Sequence, residues 1–190
     1  MAWSVGGVAV RSESEFTKPK PGWCDRPGRW SAPDAQATEC EVSALVAALA
    51  AATKPDVIFE TGAYHGHTTA LLGAAAAEYG GRVVAVELDP EAANVARDRC
   101  DGLPVEIVVG DSLEVDWPEP IGLAFLDSGF SPVRRAELRR VKPLLAGHGV
   151  VVVHDTAPHL MGRAVHTEMD QLGLAVVALK TPRGVTIAQR

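Results

Sequence analysis

Five short apolar runs in this chain each end in a carboxylate. Glu60 closes Val57-Ile58-Phe59, Glu87 closes Val83 to Val86, Asp111 follows Val105 to Val109, Asp127 follows Leu123 to Leu126, and Asp155 follows Val150 to Val153 with His154 between. Any one of these acids alone reads as a helix cap or a solvated loop residue. Five at one edge repel one another, and such a cluster persists where it binds a cation, a ribose or other polar ligand groups. His154 adjoins Asp155 and, with an unperturbed pKa of about 6.5, suits proton abstraction near neutrality. His65, His67 and His159 are its rivals for that role.

The elements that must hold these acids are legible from pattern. Val57 to Thr61 reads as a strand buried on both faces, and a helix-forming run spans Thr69 to Tyr79. Gly62 and Gly66 between them supply positions where positive φ or a close-lying ligand is tolerated. Strand, glycine turn and helix make the first half of a nucleotide-binding βαβ unit, with the ligand beyond the strand's carboxyl end. A dinucleotide site needs G-x-G-x-x-G for its pyrophosphate, but Glu60 stands where the first glycine would be. A carboxylate there repels a pyrophosphate and attracts a cationic, amino-acid-bearing ligand.

Further strands are expected at Arg82 to Leu88, Val105 to Val109, Gly122 to Leu126, Val150 to Val153, Leu174 to Leu179 and Gly184 to Ala188. Helices are expected at Asp34 to Thr53, from the Asp89 cap to about Cys100, from Ser131 to about Ala146, and from Leu160 to Leu172. Alternation of this kind gives a parallel sheet with helices on both faces. The short Lys180 to Arg183 turn allows only an antiparallel hairpin at the end. The fold class is therefore α/β: a Rossmann-like, seven-stranded, mostly parallel sheet with a C-terminal antiparallel hairpin. The basic run Arg134, Arg135, Arg139, Arg140 and Lys142 reads as the solvated face of its helix.

Residues 1–34 carry Pro19, Pro21, Gly22, Pro27, Gly28 and Pro33 and form an irregular arm anchored by Trp23 and Trp30; residues 35–190 make one domain. The arm either packs on the domain or lids the cleft, with Trp23, Arg26 or Trp30 touching the ligand. The chain has 190 residues, 47% of them hydrophobic, enough for a sizeable core. A net charge of −6 disfavours nucleic acid or an anionic membrane as partner. Cys24, Cys40 and Cys100 form no C-x-x-C pair, and Met1 to Val10 lacks the basic region of a signal peptide. A cytoplasmic protein with reduced thiols is the expectation.

Read as E-x-G-x-x-x-G, the Glu60 to Gly66 segment resembles the first motif of the class I S-adenosylmethionine-dependent methyltransferases. That resemblance implies S-adenosylmethionine as cofactor, held in the turn by Glu60, Gly62, Ala63, Tyr64, Gly66 and Thr68. Glu87 lies close to the usual interval of about 20 residues from the glycine motif to a ribose-binding acid, with Leu88 against the adenine face. Asp111 and Ser112 match the position that reaches the adenine edge, and Asp127 borders the cofactor from the fourth strand. In the metal-dependent small-molecule O-methyltransferases, which the chain also resembles, acids after the fourth and fifth strands hold Mg²⁺. Asp127 and Asp155 fit those places, with His154 as a further ligand or as the base; Asp127 and His154 are then the catalytic pair. The chain departs from that group in having no Lys soon after Asp127 and Thr156 where the group has Asn. The expected activity is methylation of a small molecule's oxygen with metal assistance. An NAD(P)-dependent oxidoreductase, or a cofactor-binding domain without turnover, are the alternatives. The arm is short for a substrate domain, which leaves room for a homo-oligomer whose partner subunit completes the pocket.

Overall fold

The computed structural model describes residues 23–190. Its sheet contains β1 (Val57–Thr61), β2 (Arg82–Glu87), β3 (Val105–Val109), β4 (Ile121–Leu126), β5 (Leu145–His154), β6 (Ala175–Leu179) and β7 (Val185–Gln189), in the spatial order β3-β2-β1-β4-β5-β7-β6. The first five strands run parallel; β7 slots between β5 and β6 and is antiparallel to both. Strand direction of travel reverses at β1, which pairs with β2 on one side and β4 on the other. That switch point opens a crevice at the carboxyl ends of β1 and β4.

Helices α1 (Cys40–Thr53), α2 (His67–Ala77) and α3 (Pro90–Arg99) cover one face, and α4 (Ser131–Leu144) and α5 (Gly162–Gln171) the other. The period of two along each strand divides the core. Ile58, Leu123, Phe125 and Val152 pack under α1 to α3 with Val46 and Leu72, while Phe59, Leu126, Val151 and Val153 pack under α4 and α5 with Leu138 and Met169. Cys100 is buried among these residues, and Cys24 and Cys40 are free thiols. Among the described residues no helix is long and apolar enough to cross a membrane.

Four boundaries differ from expectation. Residues 34–39 are not helical: Asp34 Oδ1 accepts from the amides of Gln36 and Ala37 at 2.8 and 2.9 Å, and this local turn competes with a helix start until Cys40. Helix α4 stops at Leu144, just past Pro143, and Leu145 is already extended and paired with Ile121. The Gly147-His148-Gly149 turn is absorbed into β5 as an irregularity of register. Helix α2 starts at His67, with Gly66 left-handed at its N-cap. Within the arm, Trp30 packs against the core, and the Trp23 amide donates to the Pro182 carbonyl at 2.9 Å; residues 1–22 lie outside the described residues.

Candidate active site

The turn after β1 is fixed before any ligand arrives. The amides of Gly62 and Ala63 both donate to the Val86 carbonyl at the end of β2, and the Asp127 amide donates to the Thr61 carbonyl, so three strand ends are tied together. Gly62 sits at φ +80°, and a Cβ there would lie 2.6 Å from the Asp127 carbonyl oxygen, so the β1 turn and the β4 exit approach too closely for any other residue. Glu87 braces the same turn from the side. Its Oε2 accepts from the Tyr64 amide at 2.6 Å and its Oε1 from the Asp89 amide at 2.9 Å, which leaves each oxygen a lone pair for a further donor.

These strand ends wall a cavity of about 340 Å³. Of the residues expected at the cofactor, Glu60, Gly62, Ala63, Tyr64, Thr68, Glu87, Leu88, Asp111, Ser112 and Asp127 line it; Gly66 does not, and instead seats the start of α2 against Ala96. Leu88 is exposed, as an apolar surface open to a ligand ring would be. Asp111 Oδ1 accepts from the Leu113 amide, and Ser112 donates to the buried Glu137, so both are held in place from behind. Sequence reasoning missed the opposite wall: Gln36, Ala37 and Thr38 line the cavity, whereas Trp23, Arg26 and Trp30 do not. Among the described residues, it is the loop just before α1 that reaches the cavity, and not Trp23 or Trp30.

Glu60 is the most perturbed acid of the cavity. It is 1% exposed, and its Oε2 has no hydrogen-bond partner. Burial raises its pKa to about 8, against a pull from Thr69, with the negative charges of Asp127 and Glu87 adding to the rise. One polar atom at the cavity wall is thus left without a partner inside the protein.

Behind Asp127 lies a second cluster. His154 is fully buried between two carboxylates: Nδ1 is 3.0 Å from Asp127 Oδ1 and Nε2 is 2.5 Å from Glu39 Oε2. Both ring nitrogens donate only in the imidazolium form. Burial pulls the His154 pKa down, but the Asp127 charge and the hydrogen bonds to Asp127 and Glu39 outweigh it and raise the pKa to about 10. The effect is mutual. Burial pushes Asp127 up, yet His154, Arg134 and Arg183 hold it at about 2, and the His154 partnership likewise leaves Glu39 below the usual carboxylate range in spite of its burial. Asp127 Oδ2 accepts from Thr38 Oγ1 at 2.5 Å.

Asp155, at a left-handed φ of +60°, turns its carboxylate to Arg183, whose Nε and Nη2 make a two-pronged contact at 2.6 and 2.7 Å. The third nitrogen of Arg183 donates to the Ala37 and Gln36 carbonyls, and its amide donates to Glu39 Oε1. Arg134 is also fully buried; it donates to the carbonyls of Leu126, Ser128 and His154 and stands 3.7 Å from Asp127 Oδ1. Its far side faces Glu137, an acid that burial pushes up in pKa.

This geometry bears on three expectations. His154 does not line the cavity, and a buried imidazolium clamped by two carboxylates has no lone pair with which to act as a base. Of its rivals, His67 lines the cavity, His65 stacks on Tyr64, and His159 is exposed. The basic face of α4 is not simply solvated: Arg134 is buried, Arg135 and Arg139 share Glu168, and Arg140 bonds the Ser112 and Val115 carbonyls over the Trp117 ring. Finally, Asp127, His154 and Asp155 do come together, with ligand atoms within 4.8 Å of one another. A divalent cation there would have to compete with partners already in place, since each of those oxygens and nitrogens is engaged by Thr38, Arg183 or another member of the cluster. Thr156, where the metal-dependent group has Asn, is bonded to Thr186 inside the sheet.

Residues 59–156, just over half of the chain, match a family model described as a methyltransferase domain. Among curated proteins, a probable ribosomal RNA small subunit methyltransferase A from Methanosarcina mazei is 40% identical over 75 residues, which is 39% of this chain and 26% of that protein. The chain thus spans about a quarter of that relative's length. Among solved structures, an O-methyltransferase from Bacillus cereus in complex with SAH superposes with a TM-score of 0.69 at 19% identity, covering 83% of this chain and 84% of the other. The O-methyltransferase TomG from Streptomyces achromogenes, in complex with SAM, gives 0.67 at 21% identity, covering 83% and 82%. At these identities the structural likeness speaks for the fold.

Proposed function

The chain belongs to the methyltransferase domain family, the S-adenosylmethionine-dependent class I fold, and on that premise we propose that it methylates an oxygen of a small molecule. The observation that carries the cofactor part is Glu60, a buried carboxyl with an unpartnered oxygen at the cavity wall. When bound there, the cofactor supplies an electrophilic methyl group on a sulfonium. Glu60 accepts from its ammonium, a charge-assisted hydrogen bond made in a dry site. Glu87 offers its two remaining lone pairs to the ribose hydroxyls, while Asp111 accepts from the adenine amine and Leu88 covers the ring. Asp127, held ionised by His154 and Arg134, and Thr38, which donates to it, would border the bound cofactor on the side of the β4 exit.

The expectation of Mg²⁺ at Asp127, Asp155 and His154 enters no step, given the engaged ligand atoms. A small-molecule acceptor is favoured over RNA by the net charge of −6 and by the pairing of Arg135 and Arg139 with Glu168, which offsets part of the basic charge of α4. An NAD(P) site is disfavoured by Glu60, which stands where the dinucleotide motif has its first glycine. The three free thiols fit a reducing, cytoplasmic compartment. The test is calorimetric titration with S-adenosylhomocysteine. Binding is expected in the wild type, and Glu87→Ala should weaken it by roughly 1.5 to 3 kcal/mol, the worth of hydrogen bonds to a charged group. No binding of S-adenosylhomocysteine, or tight binding of NAD in its place, would sink the reading.

A further inference from the structure

We propose that Arg183 is the resident cation of the strand-end acids, occupying with its guanidinium the place a divalent metal would need, so that this chain carries out its chemistry without bound metal. The proposal rests on the methyltransferase reading for its consequence, but its argument is geometric. Two acids leave the ends of β4 and β5 toward each other, a juxtaposition that repulsion forbids without a counter-charge. In this chain the counter-charges are built in. Glu39, Asp127 and Asp155 face His154, Arg134 and Arg183, three carboxylates against three side chains able to carry positive charge, with Glu137 beyond Arg134.

Arg183 is the member best placed to exclude an ion. Its planar fork takes the facing lone pair of each Asp155 oxygen, and its positive charge stands where a second cation would have to approach. A metal arriving at Asp127 and Asp155 would therefore have to expel Arg183, and Mg²⁺ gives up its own waters reluctantly. Expulsion would also cost the cavity its wall. Arg183 holds the Ala37 carbonyl and Glu39, and so fixes the loop whose Gln36, Ala37 and Thr38 line the cavity. The backbone around it is no freer: the Ala157 amide donates to the Arg183 carbonyl and the Thr156 amide to that of Gly184, pinning the β6–β7 turn on the exit of β5. It follows that the acceptor is not gripped by chelation of two neighbouring oxygens on a metal; a single nucleophilic oxygen, positioned by Thr38, Asp127 and the loop, is the substrate class this floor admits.

The test uses Mn²⁺ as the probe, titrated into the full-length protein and followed by electron paramagnetic resonance of the free ion, with S-adenosylhomocysteine affinity measured on the same samples. The wild type should show no saturable one-to-one Mn²⁺ binding in the range where the family's metal would act, with or without S-adenosylhomocysteine. Arg183→Met should gain a site at least about tenfold tighter than any wild-type binding, the least that one displaced charge-assisted contact is worth, and lose it again when Asp155→Asn is added. Stoichiometric Mn²⁺ binding by the wild type that Asp155→Asn abolishes would overturn the proposal, as would an Arg183→Met protein that folds and gains nothing. Should Arg183→Met fail to fold, Arg183→Lys takes its place: one ammonium covers one oxygen, so a weaker gain is expected, and none refutes. Failure of the methyltransferase reading looks different, since the wild type would then bind neither S-adenosylhomocysteine nor Mn²⁺.

Discussion

If Glu60 receives the cofactor's ammonium, binding must ionise it, and the proton has to leave. With a pKa of about 8 in the empty cavity, Glu60 is about nine-tenths protonated at pH 7, so binding near neutrality should release about 0.9 proton. The binding-competent ionised form is then a minor population, and the apparent dissociation constant is the intrinsic one divided by that fraction. Affinity for S-adenosylhomocysteine should accordingly rise by roughly 50-fold from pH 6 to pH 8 and flatten above. Isothermal titration in phosphate and in Tris, buffers of low and high ionisation enthalpy, reads the proton directly as a difference in heat. Glu60→Gln should remove both the proton release and the pH slope, and weaken binding by roughly 1.5 to 3 kcal/mol. The same group sets a slope on the empty protein. Its folded pKa exceeds its unfolded value, so the folded form holds the extra proton between about pH 4.5 and 8, and stability falls as pH rises through that window. Equal heats in the two buffers together with flat affinity from pH 6 to 8 would refute the ammonium assignment.

The buried His154 cluster predicts a separate pH dependence: the His154 pKa is raised, so its stabilisation is complete below the unfolded value of about 6.5 and is lost as pH climbs through about 10. That of Asp127, whose pKa is lowered, is present above about 3.8 and lost toward pH 2, and denaturant melts across pH would show both limbs. His154→Ala should lower stability by about 3 to 5 kcal/mol, as breaking a buried ion pair does; a protein of unchanged melting temperature whose turnover alone falls about 10²- to 10⁴-fold would restore His154 as a base. Gly62→Ala forces a Cβ to 2.6 Å from the Asp127 carbonyl at a left-handed φ, and should cost about 1 to 3 kcal/mol by chemical denaturation while weakening S-adenosylhomocysteine; an unaffected variant would mean the two strand exits are not coupled.

The near half of the site was legible because it is local. A buried strand, a glycine turn and a helix start follow one another from Val57 to Thr69, and backbone geometry alone carries Glu60, Gly62 and Thr68 to the cavity. Glu87, Asp111 and Asp127 were legible for the same reason: each ends a strand of a sheet whose order follows from topology. The cation side was not. Arg134 looked like one of several helix-surface arginines, and only the packing of α4 against the ends of β4 and β5 reveals that it is the one turned inward. Arg183 read as part of a hairpin turn and Glu39 as a position within an early helix, and nothing local joins them. The available signal was indirect: a crowd of acids at one sheet edge requires cations, and a sequence with no metal-binding Lys-and-Asn pattern must find them among its own side chains.

Glu39 and Arg183 stand 144 positions apart, yet their contact secures one wall of the cavity. For a chain emerging from the ribosome, this sets an order of events. The β1 turn, with Glu60 and Gly62, and its neighbours β2 and β4 are available early, and with them the Asp127 anchor of Thr38, whereas the Arg183 contacts to Gln36, Ala37 and Glu39 wait for the β6–β7 turn. A nascent chain halted before Arg183 would carry the cavity-lining acids Glu60, Glu87 and Asp111 without the Arg183 contacts to that wall, and His154 would lack its neighbour in β7, Val185. Completion of the β6–β7 turn is therefore what adds the Arg183 contacts to that wall.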